Sequence, residues 1–398
     1  MAASIVGIVS FQLLNLRESF GFDPITEGLA LSVITLFGAT IGFPIAALIV
    51  RLPIRAVLVA GLSIFLLSNF VAMSASSGSS FLASRCLAGL GFIVLVIAIP
   101  NVISTLPEKL VRQVTLTMWG AYLPLGIAVG IGIAMLSGEN WKLSFGIHAA
   151  SCALAVIALL FVDRGSMYMG RRGMGRKTEF GNVRRLLTDP LVWLFSGGFC
   201  AFAGVFLIVI GMLPSLLQHA TSLDQFSAGI LTSLVCLFGV ITSILLSVFP
   251  PSAARFSMIT AIAFLASGTA GVFFFSYLDI APLAIVAAIF IISITALVPS
   301  ILFSSFPRVV ESSDQITLLS GIVTQMGSLG SLTGPPLVTW WHHNYGHSNA
   351  WIPFGLICVA GTLLFWGAGR LMPRPHAKGR TRNFQDTKVH QNDTCRIR

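Results

Sequence analysis

The sequence predicts an all-α polytopic membrane protein, with twelve transmembrane helices in two pseudo-symmetric six-helix bundles. Composition, the length of the apolar runs and an internal echo carry that prediction. Of the 398 residues, 55% are hydrophobic and 10% charged, whereas soluble domains carry about 25% charged residues. The apolar residues form long unbroken runs separated by brief polar breaks, unlike the short alternating stretches of a transmembrane barrel. At about 20 residues per crossing, twelve spans fit the length and leave short loops and a tail.

The runs lie near 1–16, 27–50, 56–76, 80–103, 114–137, 143–162, 190–217, 226–249, 257–276, 281–306, 316–339 and 350–372. The first is short for a span and has no basic residue before it, so the numbered chain is expected to begin inside span 1. The echo has an offset of 201. Gly28-Leu-Ala-Leu-Ser-Val-Ile-Thr-Leu-Phe-Gly38 in span 2 matches Gly229-Ile-Leu-Thr-Ser-Leu-Val-Cys-Leu-Phe-Gly239 in span 8, and Asp23 pairs with Asp224. Ile97-Ala-Ile-Pro100 echoes Ala296-Leu-Val-Pro299, and Trp141, Phe145 and Gly146 echo Trp351, Phe354 and Gly355 with a one-residue slip. Three echoes in consistent order divide the chain into an N-terminal bundle (1–162), a basic loop (163–189), a C-terminal bundle (190–372) and a basic tail (373–398). This is the duplicated plan of many secondary transporters.

Charge sets the orientation. The net charge is +10, and seven of the 24 basic residues lie between Arg164 and Arg185 while seven more follow Pro373. Basic clusters beside apolar spans mark the cytoplasmic side and argue against nucleic acid as a partner. Arg51, Arg55, Lys109, Arg112, Arg255 and Arg308 then fall on the same side, and both termini are cytoplasmic. The expected setting is a bacterial cytoplasmic (inner) membrane, with the chain as a monomer among lipids. The cysteines imply neither a disulfide nor a metal scaffold. His342, His343 and His347 are read as a solvated loop, and no cofactor or metal is expected.

The chain resembles the major facilitator superfamily along essentially its whole length. Val50-Arg51-Leu52-Pro53-Ile54-Arg55 matches the end of the family's loop signature between spans 2 and 3, with both arginines kept, Val50 in place of the acid and Pro53 in place of the glycine. Arg85-Cys-Leu-Ala-Gly89-Leu-Gly91 is similar to the Arg-x-x-x-Gly signature of span 4. Among branches, the general pattern is similar to cyanate and nitroimidazole permeases. The resemblance implies alternating access around a path lined by spans 1, 4, 7 and 10 and flanked by 2, 5, 8 and 11. It implies no enzymatic activity.

Arg85 stands more than a few residues inside a span, where a guanidinium facing lipid costs about 3 kcal/mol or more. It is therefore expected to face the interior, either as an anion or proton-linked site or as a structural donor to neighbours such as Glu27. None of the fourteen acids sits mid-span, and a cation antiporter needs such a carboxylate. Glu27 and Asp224 remain as half-buried candidates for proton coupling, or as helix N-terminal acids. Gln12, Asn15, Asn101, Trp119, Tyr122 and Gln325 are in-span polar groups expected either to touch substrate or to bond between helices. Arg51, Arg55, Gly89, Gly126, Gly130, Gly334 and Pro335 are candidate gating or conformational positions. The function expected is secondary transport of a small anionic or polar solute with proton coupling. The alternatives are a drug or metabolite efflux pump and a non-transporting receptor or scaffold.

Overall fold

The computed structural model describes residues 1–161, 184, 186–221, 223–248, 255–310 and 312–371. Most of the basic loop expected at 163–189 and the whole tail at 373–398 lie outside the described residues. The N-terminal half contains α1 (Ser4–Phe20), α2 (Pro24–Ser32), α3 (Leu36–Ile49), α4 (Ile54–Met73), α5 (Gly78–Ser104), α6 (Lys109–Trp119), α7 (Tyr122–Ser137) and α8 (Trp141–Phe161). The C-terminal half contains α9 (Pro190–Thr221), α10 (Gln225–Val248), α11 (Phe256–Ser276), α12 (Ala281–Thr295), α13 (Leu297–Val309), α14 (Ser313–Tyr345) and α15 (Trp351–Leu371).

Each of the twelve apolar runs is helical, and three are built in two pieces: α2 with α3, α6 with α7, and α12 with α13. Among the described residues, nine helical stretches are long and apolar enough to cross a membrane, and the α6–α7 pair, bent by 50°, makes a tenth. The other two runs fall short for different reasons. Helix α1 has 17 residues, and α14, at 33 residues, carries a long series of serines, threonines and glutamines.

The breaks follow from local chemistry. Pro44 lies inside α3, and Ile41 just before it leaves helical geometry at φ −126°, ψ 20°. Proline removes a backbone donor and crowds the preceding turn. The echo at offset 201 also reappears in three dimensions. Asp23 caps α2, accepting from the N–H of Thr26 at 2.7 Å, and Asp224 accepts from the N–H of Ser227 at 3.1 Å before α10. Equivalent helices thus begin on the same capping chemistry.

Within the N-terminal half α4 packs on α5 and α8, α1 on α7, and α3 on α5. Within the C-terminal half α9 packs on α14 and α15, and α11 on α12 and α15. The halves meet where α14 lies against α2, α3 and α5, where α10 lies against α6 and α7, where α6 meets α13, and where α1 meets α9. The face carrying the Val50–Pro53 turn and the opposite face carrying Gly21 to Asp23 are both closed. At the first, a Cβ on Gly321 would touch that of Ala46; at the second, one on Gly28 would lie 3.1 Å from the Pro336 Cα.

Small residues make these approaches possible, as expected for helices associating in lipid. A Cβ on Gly130 would collide with the Ser4 carbonyl, one on Gly7 with the Ile127 carbonyl, and one on Gly126 would sit 2.5 Å from the Ala3 Cβ, so α1 and α7 touch backbone to backbone. Gly89 likewise brings α5 onto the Ile34 carbonyl, and a Cβ on Gly334 would lie 3.2 Å from the Gly204 Cα. A valine at Gly130 must push the helices apart, at a cost of about 1–3 kcal/mol. Thermal unfolding of purified Gly130→Val should show a Tm several degrees below wild type. Gly132→Ala, where an added Cβ meets nothing within 4 Å, should leave Tm unchanged or slightly raised.

Candidate functional site

Arg85 projects from α5 into the N-terminal half and is 1% exposed. Its Nε, Nη1 and Nη2 are all buried and have no hydrogen-bond partner. The expected contact with Glu27 is not made. Glu27 lies 3.6 Å from Arg17, where α1 and α2 meet. A guanidinium that has lost water without gaining acceptors is costly, by several kcal/mol in a protein interior.

One turn before Arg85 on the same helix, Phe81 meets Phe145 of α8 edge-on at a 5.8 Å centroid separation. Both helices start from the cluster of Phe20, Phe22 and Trp141, so Arg85 and His148 occupy the next layer inward. His148 is fully buried, and its Nδ1 lies 2.9 Å from the Asn69 Nδ2 of α4. With the amide nitrogen donating, Nδ1 is the acceptor and Nε2 carries the proton. Nε2 lies 3.1 Å from both the Met1 carbonyl and the Ser4 hydroxyl. Asn69 Oδ1 is buried without a partner. Neither residue was expected from the sequence. The available signal was His148 itself, the one histidine within any of the predicted spans.

Three of the in-span amides, Gln12, Asn15 and Gln325, are engaged between elements. Gln12 donates to the Gly138 carbonyl at 2.8 Å and to the Ser144 hydroxyl at 3.1 Å, tying α1 to α8. Asn15 donates to Gln12 and reaches Gln225 at 3.5 Å, while Gln225 donates to the Phe11 carbonyl at 3.1 Å, so α1 is also tied to α10 of the other half. Gln325 accepts from the Phe43 N–H at 2.9 Å and donates to the Thr40 carbonyl at 3.3 Å, joining α14 to α3. Asn101 is buried in α5, and its backbone carbonyl accepts from Ser104.

Trp119 and Tyr122 stack at 4.5 Å and 8° where α6 breaks into α7. They line an apolar cavity of about 360 Å³ together with Met1, Leu58, Leu95 and Leu159. That cavity lies within the N-terminal half, so these two aromatics are brought together away from the Gln325 contact. The Trp119 Nε1 is buried there without a partner. Among the described residues, no group of three His, Cys, Asp or Glu side chains is placed to hold a metal ion.

The family model described as Major Facilitator Superfamily matches residues 1–316. The chain belongs to the major facilitator superfamily. No curated protein matches it. Among solved structures, the proton:xylose symporter XylE bound to 6-bromo-6-deoxy-D-glucose is similar at a TM-score of 0.71 and 14% identity, covering 92% of this chain and 94% of that one. The human organic anion transporter MFSD10 (TETRAN) is similar at a TM-score of 0.67 and 16% identity, covering 92% and 97%. These likenesses establish the fold, and neither they nor the family match supports the cyanate and nitroimidazole branch in particular. As a major facilitator the chain is a transporter, an integral membrane protein and not an enzyme.

In this major facilitator the degenerate loop signature is anchored through one arginine. Arg55 donates to the Leu160 carbonyl at 2.6 Å, fastening α4 to the end of α8, while Arg51 is exposed in the turn. Pro335 continues α14, its carbonyl accepting from Thr339 at 2.7 Å.

The two capping acids are open to solvent, and hydrogen bonds from Thr26 and Ser227 hold the Asp23 and Asp224 carboxyls below the usual carboxylate range. An acid ionised throughout the neutral range gives Asp224 no proton to exchange there. A folded-state pKa below the unfolded one adds stability that is complete above the ordinary carboxylate value and is lost as pH falls through the lowered one. Asp224→Ala should therefore lower Tm at pH 7, with the deficit constant between pH 5 and 8 and shrinking below about pH 4. A deficit that changes near neutral pH would instead show that Asp224 titrates there.

Proposed function

We propose that this transporter moves a small anionic or polar solute by alternating access between its two six-helix halves, with both termini in the cytoplasm and proton coupling to the solute. The observation that carries the solute class is Arg85, a fully buried guanidinium whose three nitrogens lack acceptors. A membrane protein retains such a charge at considerable cost, and intramembrane ionisable groups mark solute and ion pathways. An anion would supply the missing acceptors through charge-assisted hydrogen bonds. The absence of any mid-span carboxylate in the sequence weighs against a cationic solute. The second reading is efflux of lipophilic compounds, for which the stacked Trp119 and Tyr122 offer aromatic surface.

Thermal unfolding of the purified protein with nitrate, sulfate, a neutral sugar and tetraphenylphosphonium separates these readings. A ligand at 100 times its Kd stabilises by about 2.7 kcal/mol, so an anion should raise Tm, and Arg85→Met should abolish that rise. Without added anion, Arg85→Met should unfold at or above the wild-type temperature, because an isosteric apolar side chain removes an uncompensated charge. A rise with tetraphenylphosphonium alone would favour efflux. A large loss of stability in Arg85→Met would assign the arginine to structure.

A further inference from the structure

The amide of Gln325 completes a helix that belongs to the other half of the protein. Pro44 has no N–H, and the carbonyl it would have served, four residues back in α3, is that of Thr40. Gln325 Nε2 donates to that carbonyl at 3.3 Å. Its Oε1 accepts at 2.9 Å from the N–H of Phe43, two residues beyond the irregular Ile41. One side chain of α14 thus serves a donor and an acceptor on either side of the break in α3.

The surroundings are built for this approach. Gly42 presents no side chain, and a Cβ there would lie 2.9 Å from that of Gln325. The outer flank is apolar, with Ile41, Pro44 and Leu329 exposed, as suits a side that faces lipid. Backbone groups freed there would meet hydrocarbon, which offers them no hydrogen bond. The contact lies near the middle of α3 and a few residues before the middle of α14, displaced toward the face carrying the Val50–Pro53 turn. Separating the halves on that face draws the amide off α3, whereas opening the opposite face leaves it in place. Val50 occupies the acid position of the loop signature on this face, so the loop has no carboxylate there with which to tie the halves.

We infer that Gln325 is a positioning residue for the transport cycle, a latch that holds the Val50–Pro53 face closed by completing the proline-broken backbone of α3. The latch rests on the alternating-access reading, since it sets the balance between the two open forms. Its strength depends on Pro44: with a residue that carries an N–H at 44, α3 can serve Thr40 itself and the tie becomes dispensable.

The experiment is pulsed electron–electron spin distance measurement in lipid nanodiscs, with the native cysteines replaced. One nitroxide pair at Leu52 and Arg255 reports the latched face, and a second at Ser76 and Asp279 reports the opposite face. Wild type should favour the short Leu52–Arg255 distance. Gln325→Ala should raise the ratio of open to closed on that face roughly tenfold, and Pro44→Ala/Gln325→Ala should return it toward wild type. An unchanged distribution in folded Gln325→Ala overturns the latch, as does a double variant as open as the single one. If Gln325→Ala fails to fold, Gln325→Glu keeps an acceptor for Phe43 and loses the donor to Thr40, and it should give a smaller shift in the same direction; no shift overturns the latch. If the Ser76–Asp279 pair shows two distances while Leu52–Arg255 ignores Gln325, the latch alone falls. If neither pair shows a second distance in any variant, alternating access falls with it.

Discussion

A hydrocarbon solvent offers no hydrogen bonds, and most of the architecture answers to that constraint. Every break in a spanning helix must be satisfied from within the protein. The break at Pro44 is served by a side chain from the other half, so secondary structure in one bundle depends on its contact with the other. The amides of α1 extend the same logic, with Gln12 turned to α8 and Asn15 toward α10. Of the polar residues expected along a solute path, Asn15 and Gln325 are, in this conformation, ties between the two halves. Small residues do the complementary work, because Gly7, Gly42, Gly89 and Gly130 let backbones come close enough for such short side chains to reach.

Arg85 departs from that rule with all three of its guanidinium nitrogens, where Asn69 and Trp119 leave one atom each. Its neighbours are arranged in layers of phenylalanines and a histidine–asparagine pair, none of which gives the guanidinium an acceptor. A core that satisfies Gln12, Gln325 and His148 and leaves Arg85 unserved is a core with a charge in reserve. This contrast gives Arg85 its weight in the proposed solute class, beyond its burial alone.

Local chemistry was legible in the sequence, and chemistry that depends on a partner distant in the chain was not. The Asp23 and Asp224 echo was readable because capping uses atoms three residues away. The helical runs were readable because apolar length is a local property, and Arg85 was found because a lone charge in an apolar span stands out. Gln325 is legible as an in-span amide, but its partner lies 282 residues away and no periodicity links them. Trp119 and Tyr122 are legible as residues of a flanking span, whereas their stacking depends on the bend between α6 and α7. His148 carries no formal charge at neutral pH, so charge patterning does not mark it, although an imidazole in a span carries the same warning as a carboxylate.

The central claim is that a transporter of this fold uses Arg85 to move a small anion. Exchange flux in vesicles holding the purified protein tests it most directly, with nitrate and sulfate inside and the labelled anion added outside, and tetraphenylphosphonium as the comparison solute. The account predicts saturable anion exchange that Arg85→Met abolishes while the variant remains folded and inserted. Exchange of the lipophilic cation alone, or anion exchange undiminished in Arg85→Met, would contradict it.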